Sequence, residues 1–308
     1  MFSRKLILAV SGLGISRRIT RSPRVYKGLV RRFVAAETLE EALQALAALR
    51  DQRMSVTLDY LGEKVTDRPL ARKVVDEYKR ALTDGLPTAE GLDGNVSLKP
   101  SQLGMDIDPA FCLDNVIEVV DCARTADSRL VRIDMEDASY VDRTIELYER
   151  IRDAGYDNVG IVLQAYLHRT PGDLRRLMER GASIRVCKGA YNERADVAIQ
   201  RMPEIRGAFL RLVDTVLEGN CRPAFATHDN RLVAELEKRV KSLARPSSTF
   251  EFQMLYGINR ELQRRLAREG YAVRIYVPYG AEWYAYFSRR IAERPENLWF
   301  MLRYLVRD

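Results

Sequence analysis

Along most of this chain, the pattern of hydrophobic and polar positions changes back and forth between two spacings. Short runs rich in apolar and β-branched residues are typical of buried strands, whereas apolar residues three or four positions apart are typical of helices that bury one face. The predicted strands cover residues 55–60, 95–98, 131–135, 160–166, 183–187, 224–228, 250–254 and 273–277. One helical stripe between them consists of Val141, Ile145, Tyr148 and Ile151. Strand and helix therefore alternate eight times, after a helical stretch over residues 38–50.

The number of strand–helix units predicts the fold class. Eight units in about 250 residues are typical of a (β/α)8 or TIM barrel, a member of the α/β class. A doubly wound open sheet is the alternative, but it usually carries a glycine-rich phosphate turn after its first strand. This chain has no GxGxxG motif, and no repeat or flexible linker divides it. We therefore expect a basic N-terminal helical arm over residues 1–54 and a barrel over residues 55–308.

Polar residues stand at the carboxyl end of every predicted strand. Because these ends converge at one mouth of a barrel, where active sites are built, the pattern predicts a functional site. The eight residues are Asp59, Lys99, Asp134, Gln164, Lys188, His228, Gln253 and Tyr276. The chain shows no Ser-His-Asp or Cys-His signature. A lysine at a strand end can form a Schiff base, so a lyase of the aldolase type is one interpretation of this mouth.

Composition narrows the class of protein. Hydrophobic residues make up 46% and charged residues 30% of the 308 positions, which excludes disordered, collagen-like and low-complexity chains. The longest apolar stretch, residues 6–15, is shorter than the roughly 20 residues of a membrane span. The 4 cysteines form no CxxC pair, and there are only 2 histidines. These counts favour a reduced, cytoplasmic compartment and argue against a metal site.

The net charge of +7 is concentrated at the start of the chain. Residues 1–36 contain nine Lys or Arg and no Asp or Glu, and the remainder is nearly neutral. Basic arms suit anionic membranes or nucleic acid, so a non-catalytic protein that binds either one is a further alternative. A removed targeting peptide and an ordinary basic surface helix also fit this segment.

A second charged pattern lies near the end of the chain. Tyr286, Arg289, Arg290 and Glu293 follow one another at helical spacing and therefore share one helix face. Two guanidinium groups on one face can bind a carboxylate, with the glutamate orienting one of them. A solvated face with an internal ion pair fits the same spacing, and the spacing alone leaves both interpretations open.

The motifs together resemble those of the proline dehydrogenase family, and the likeness is closest to its short, monofunctional bacterial members. Each central motif stands at a predicted strand end, and the order covers essentially the whole chain. In chain order the motifs are Gly28-Leu-Val-Arg-Arg-Phe-Val-Ala-Ala-Glu-Thr-Leu, Leu58-Asp-Tyr-Leu-Gly-Glu, Val96-Ser-Leu-Lys, Arg132-Ile-Asp-Met-Glu-Asp, Val162-Leu-Gln-Ala-Tyr, Lys188-Gly-Ala-Tyr, Ala226-Thr-His-Asp, Phe250-Glu-Phe-Gln, Arg274-Ile-Tyr-Val-Pro-Tyr-Gly and Arg289-Arg-Ile-Ala-Glu-Arg-Pro-Glu-Asn-Leu.

The resemblance implies a fold, a reaction and partners. The fold would be a distorted (β/α)8 barrel whose final helix lies over the mouth. The enzyme would oxidise L-proline to Δ1-pyrroline-5-carboxylate by hydride transfer to FAD and pass the electrons to a membrane quinone. We expect no nucleic acid partner, and a peripheral contact of residues 1–36 with the anionic inner face of the membrane.

The resemblance also implies roles for individual residues. Asp134 and Arg185 match the catalytic pair, with Arg185 beside flavin N5. The proline site would consist of Lys99, Arg289, Arg290, Tyr276, Tyr286 and Leu255. The flavin site would consist of Met135, Gln164, Arg185, Lys188, Gly189, Ala190, Thr227 and His228. From the residues alone, a structural ion pair between Lys99 and Asp134 at the barrel rim is the alternative.

Overall fold

The computed structural model of this chain describes residues 34–127, 129–219 and 221–283. Eight parallel strands pair in chain order, and the eighth pairs with the first, so the sheet is a closed barrel. The strands are β1 (Ser55–Tyr60), β2 (Gly94–Leu98), β3 (Val131–Ile133), β4 (Val159–Gln164), β5 (Ser183–Cys187), β6 (Ala224–Ala226), β7 (Glu251–Leu255) and β8 (Val273–Tyr279). The predicted eight-stranded barrel is confirmed.

Within the described part, one α-helix precedes β1 and one follows each of the strands β1 to β7. They are α1 (Leu39–Asp51), α2 (Arg68–Arg80), α3 (Pro109–Thr125), α4 (Val141–Asp153), α5 (Thr170–Glu179), α6 (Met202–Glu218), α7 (Asn230–Ser242) and α8 (Arg260–Arg268). Across these ranges, none has the length and the hydropathy that crossing a bilayer requires. The predicted face of Tyr286, Arg289 and Arg290 and the first 33 residues of the arm lie outside the described residues.

Three predicted strands are too long at their carboxyl ends. We expected strands to residues 135, 166 and 228, but β3, β4 and β6 end at Ile133, Gln164 and Ala226. Beyond β4, Ala165 and Tyr166 remain buried where the chain turns over the mouth, although they belong to no strand. Met135, for example, is buried although it lies beyond β3. The shorter strands leave polar residues in loops that can face a ligand.

Along each strand, side chains alternate between the helices and the barrel interior. In β5, Ile184 and Val186 belong to the apolar core, whereas Arg185 between them reaches groups that follow β3 and lie on β7. Such contacts between non-adjacent strands are made across the interior. The interior of this barrel therefore contains charged and amide side chains.

Helix α1 packs on the outside of β1 and β8. Its buried face consists of Leu39, Ala42, Leu46 and Leu49. Thr38 is the N-cap, and its side chain accepts a hydrogen bond from the backbone N–H of Glu41 at 3.3 Å. The helix predicted over 38–50 is thus present. Whether the division between arm and barrel falls after residue 54 stays a prediction.

The segment before α1 is tied to the end of β8. The backbone N–H of Ala35 donates to the carbonyl of Pro278 at 3.0 Å, and that of Gly280 donates to the carbonyl of Ala36 at 3.0 Å. Trp283 adds a side-chain bond to Glu37 at 2.9 Å. These bonds join the segment that precedes the barrel to the end of its last strand, beside the mouth.

Candidate active site

Arg185 lies at the centre of the polar interior, with only 5% of its surface exposed. Its Nη1 donates to Asp134 Oδ1 at 2.7 Å and to Ser97 Oγ at 3.1 Å. Its Nε donates to the side-chain oxygen of Gln253. The guanidinium carbon lies 5.4 Å from the centre of the Tyr276 ring. Four groups from different strands therefore fix the position of one cation.

Both carboxylate oxygens of Asp134 have partners. Oδ1 accepts from Arg185 and from Ser97 Oγ, the latter at 2.6 Å, and Oδ2 accepts from the Tyr276 hydroxyl at 2.7 Å. Charge-assisted bonds of this kind are short and strong, so they fix the position of the carboxylate. The structure thus joins three of the predicted site residues, Asp134, Arg185 and Tyr276, in one cluster.

Lys99, which follows β2, is paired with a residue to which we assigned no role. Its Nζ lies 2.6 Å from Asp59 Oδ1, and the two residues are only 3% and 0% exposed. Burial raises the pKa of Asp59 although the Lys99 charge opposes this. The rim ion pair between Lys99 and Asp134 was the wrong partner assignment, since Asp134 is paired with Arg185.

The pKa of Lys99 also bears on the alternative that the mouth carries out Schiff-base chemistry. Burial lowers the pKa of Lys99, but the nearby carboxylates of Asp59 and Asp134 more than offset this, and the net shift is upward. A Schiff base requires a free amine, which such a lysine does not provide at neutral pH. The surroundings of Lys99 therefore favour binding of an anion over covalent chemistry.

Gln164, at the end of β4, is 2% exposed and holds the loop after β3. Its Nε2 donates to the carbonyls of Met135 at 3.2 Å and Glu136 at 2.7 Å. Its Oε1 is buried and has no hydrogen-bond partner among the described residues. A buried acceptor without a partner is costly, so this oxygen is available for a ligand N–H group.

The loop after β5 contains the predicted flavin contacts Lys188, Gly189 and Ala190, all half-buried. Gly189 has φ +107°, and a Cβ there would lie 2.1 Å from the Tyr166 ring. Only glycine fits this close approach of the backbone. Lys188 Nζ lies 3.6 Å from the carboxylate of Asp229. The strand end therefore presents exposed backbone and a held cation at the mouth.

Thr227 and His228 follow β6. The Thr227 hydroxyl accepts from the backbone N–H of Asp229 at 3.1 Å. The Nε2 atom of His228 accepts from the backbone N–H of Leu255 at 2.7 Å. Burial, and then the Lys188 charge, lower the pKa of His228 to about 3, so its ring is neutral and can accept this bond.

Glu136 is a buried carboxyl that we left without a role. It accepts from the backbone N–H of Ser101 at 2.9 Å and from the Ser101 hydroxyl at 2.5 Å. Burial raises its pKa to about 7, although the two bonds from Ser101 oppose this. Its position beside Gln164 makes it part of the support beneath the mouth.

The structure brings together all the predicted site residues that it describes. Lys99, Met135, Gln164, Arg185 and Thr227 are buried, whereas Asp134, Lys188, Gly189, Ala190, His228, Leu255 and Tyr276 are half-buried around them. Shifted pKa values and buried cations at a barrel mouth are typical of an active site. The roles assigned to these residues stay predictions.

Asp59 and Gln253 were predicted only as strand-end residues at the mouth, and four further supporting residues had no predicted role: Ser97, Glu251, Glu136 and Asp229. The sequence does contain a signal for several of them, because polar residues recur at alternate positions along the strands. Thr57 and Asp59 in β1 are two positions apart, as are Asn95 and Ser97 in β2. This alternation marks side chains that face the barrel interior.

Comparison with known proteins places this geometry in a family. The family model described as proline dehydrogenase matches residues 42–303. Proline dehydrogenase 1 of Bacillus subtilis (strain 168) is 38% identical over 281 residues, which cover 90% of this chain and 90% of that protein. Proline dehydrogenase of Deinococcus radiodurans is 38% identical over 283 residues, which cover 91% of this chain and 90% of that protein.

A solved structure shares the fold. The crystal structure of proline utilization A (PutA) from Bdellovibrio bacteriovorus inactivated by N-propargylglycine matches with a TM-score of 0.78 and 27% identity. The match covers 86% of this chain and 32% of that one, so this chain spans about a third of its length. The family predicted from the motifs is confirmed: this chain belongs to the proline dehydrogenase family, whose members oxidise proline.

Proposed function

We propose that this enzyme oxidises L-proline to Δ1-pyrroline-5-carboxylate with FAD as cofactor and passes the electrons to a membrane quinone. The observation that carries the proposal is the hydrogen-bonded cluster of Arg185, Asp134 and Tyr276 at the mouth, beside the buried cation Lys99. A fixed cation in a site of low dielectric constant stabilises negative charge where it develops.

The residues around the mouth fit a flavin. The free Oε1 of Gln164 offers an acceptor to a ring N–H, and the loop of Lys188, Gly189 and Ala190 offers backbone and a cation for a phosphate. His228 keeps a neutral ring after β6, the strand next to β5. These groups, with Met135 and Thr227, would hold the cofactor; when bound, FAD supplies the acceptor for the hydride.

The proline site would lie above the same cluster. Lys99 binds the substrate carboxylate together with Arg289 and Arg290, while Tyr276, Tyr286 and Leu255 enclose the pyrrolidine ring. Two-point binding of a carboxylate fixes the approach of the ring carbon bonded to nitrogen, which is an orientation effect. Asp134 contributes by holding both Arg185 and the Tyr276 hydroxyl in place.

The basic arm would bring the enzyme to its electron acceptor. Residues 1–36 combine nine basic residues with apolar ones, as in segments that lie in the interface of an anionic membrane. A peripheral contact of this kind places the mouth near a quinone in the bilayer.

The test is spectroscopic. The purified protein should be yellow, carry about one non-covalent FAD per chain and lose its colour anaerobically on addition of L-proline. Arg289→Met or Arg290→Met should lower kcat/KM for proline by roughly 30-fold or more with the flavin spectrum intact, since a charge-assisted contact is lost. Arg201→Met, at an exposed ion pair with Glu204, is the matched control and should change neither. Colourless protein that FAD cannot reconstitute would contradict the proposal.

A further inference from the structure

A chain of four polar side chains runs through the barrel interior and ends at Arg185. Arg274 on β8 places its Nε 3.1 Å from each carboxylate oxygen of Glu251. The side-chain Nε2 of Gln253 donates to Glu251 Oε1, and Gln253 Oε1 accepts from Arg185 Nε. Glu251 and Gln253 lie two positions apart on β7. The other two links join β7 to Arg274 on β8 and to Arg185 on β5. The chain therefore couples Arg185 to groups deeper in the barrel.

The chemistry of these groups sets the direction of every link. An ionised carboxylate can only accept hydrogen bonds, and a guanidinium can only donate. Glu251 therefore requires the NH2 group of the Gln253 amide to point toward it. The amide oxygen must then point toward Arg185. The Arg185 guanidinium favours the same orientation, so the carboxylate and the guanidinium together fix the Gln253 amide between them.

The ionised state of Glu251 is secured by Arg274. Burial alone would raise the pKa of Glu251, but the Arg274 guanidinium more than offsets this and lowers it. Arg274 is itself 6% exposed and is held further by the carbonyl of Val56 at 2.8 Å and by Asp93 at 2.6 Å. The acceptor-only character of Glu251 therefore persists at neutral pH.

We propose that Glu251 is a positioning residue that orients Arg185 through the Gln253 amide, so that the guanidinium keeps its two other bonds to Asp134 and Ser97. The proposal rests on the proposed function only in that Arg185 faces the flavin. The arrangement itself concerns the folded chain with or without a cofactor.

The primary measurement follows the Nε–H proton of Arg185 by NMR in protein that carries the 15N label in arginine. Arg185→Lys identifies the signal by its loss. A buried N–H with a fixed acceptor exchanges slowly with solvent. In Glu251→Gln the charge-assisted bond that holds the Gln253 amide is lost, and exchange at Arg185 Nε should accelerate about 10-fold or more.

Two further variants separate orientation from stability. Asp93→Asn removes the other carboxylate on Arg274 without touching Gln253, so the Arg185 signal should keep its slow exchange. The double variant Glu251→Gln/Gln253→Glu conserves charge and restores an acceptor-only group beside Arg185, so slow exchange should return. The flavin in Glu251→Gln should also be reduced by proline about 10-fold more slowly.

The outcomes are distinct. Unchanged exchange in folded Glu251→Gln overturns the proposal, and so does fast exchange in the folded double variant. If Glu251→Gln fails to fold, the double variant decides alone: slow exchange supports the proposal, whereas fast exchange or failure to fold overturns it. If the protein binds no flavin, the proposed function fails while the exchange measurement still applies.

Discussion

At the scale of single residues, the unusual feature is the number of charges placed inside the barrel. Lys99, Asp59, Arg185 and Arg274 are all buried, and each has a charged partner. Paired charges in an interior stabilise a fold little compared with apolar packing, because desolvation offsets the attraction. Lys99 and Asp59 lie at the carboxyl ends of their strands and Arg185 reaches Asp134 beside them, which indicates that these charges are retained for binding and chemistry.

The pair of Lys99 and Asp59 allows stability and binding to be separated. Lys99→Met should lower the free energy of unfolding by about 3 kcal/mol, because it leaves a buried carboxylate without a partner. The double variant Lys99→Met/Asp59→Asn should recover most of this loss, yet both variants should bind proline weakly because the cation is gone. Urea unfolding and steady-state kinetics measure the two effects. A double variant as unstable as Lys99→Met would show that the pairing is not the cause.

His228 should make stability depend on pH. The unfolded ring binds a proton below about pH 6.5, whereas the folded ring, with its pKa lowered to about 3, does not. The stabilisation that the neutral ring provides is complete above about pH 6.5 and is lost as the pH falls toward 3. For this half-buried ring, the loss between pH 7 and 5 should be about 1 kcal/mol smaller in His228→Asn than in the unmodified protein.

Urea unfolding at the two pH values measures this difference. His168→Asn, which removes the only other histidine of the chain at an exposed position, is the matched control. Equal pH dependence in His228→Asn and the unmodified protein would show that the ring accepts a proton in the folded state.

At the scale of elements, α1 occupies a place on the barrel although it precedes the first strand. It covers β1 and β8, the pair of strands that closes the barrel, with a continuous apolar face. The bonds from Ala35 and Ala36 to the end of β8 direct the chain into this position. The helix is therefore a packed component of the barrel.

The packing of α1 can be tested at Leu46, which is fully buried. Leu46→Ala should lower the free energy of unfolding by about 3 kcal/mol, the usual cost of a cavity in a core. Gln44→Ala, on the exposed side of the same helix, should change it by less than about 0.5 kcal/mol. Denaturant unfolding of both variants measures the difference, and equal stability would show that α1 does not support the barrel.

At the scale of the whole molecule, charge is divided between two regions. Residues 1–36 contain nine basic residues, and the rest of the chain is nearly neutral. Each base near an anionic surface contributes about 1 kcal/mol, and salt screens this attraction. The division therefore favours a membrane contact through one end of the chain and not through the barrel.

This contact predicts a salt-dependent association. The full chain should sediment with liposomes that contain anionic lipid and should be released at high salt. A variant without residues 1–24 should stay in the supernatant and still reduce a soluble dye with proline. Equal sedimentation of the two proteins would contradict the membrane contact, and a truncated protein that fails to fold would show that these residues pack on the barrel.

The sequence alone determined the order of strands and helices, and it predicted the mouth as the place of the site. Apolar periodicity is a local property, so the strands around Ser55–Tyr60 and Ser183–Cys187 and the helix capped by Thr38 were predicted within a residue. Polar residues at successive strand ends indicated the mouth because a parallel barrel brings these ends together. The family followed from the order of the motifs along the chain.

Only the tertiary structure decided which of these residues contact each other. Lys99 pairs with Asp59 and not with Asp134, and Arg185 reaches Gln253 on another strand. Such contacts depend on how the strands are aligned in the closed barrel and on how far each side chain reaches across it. No fixed spacing along the sequence specifies either one. The predicted strand ends near the mouth were misplaced because loops over a site keep apolar residues covered without strand pairing.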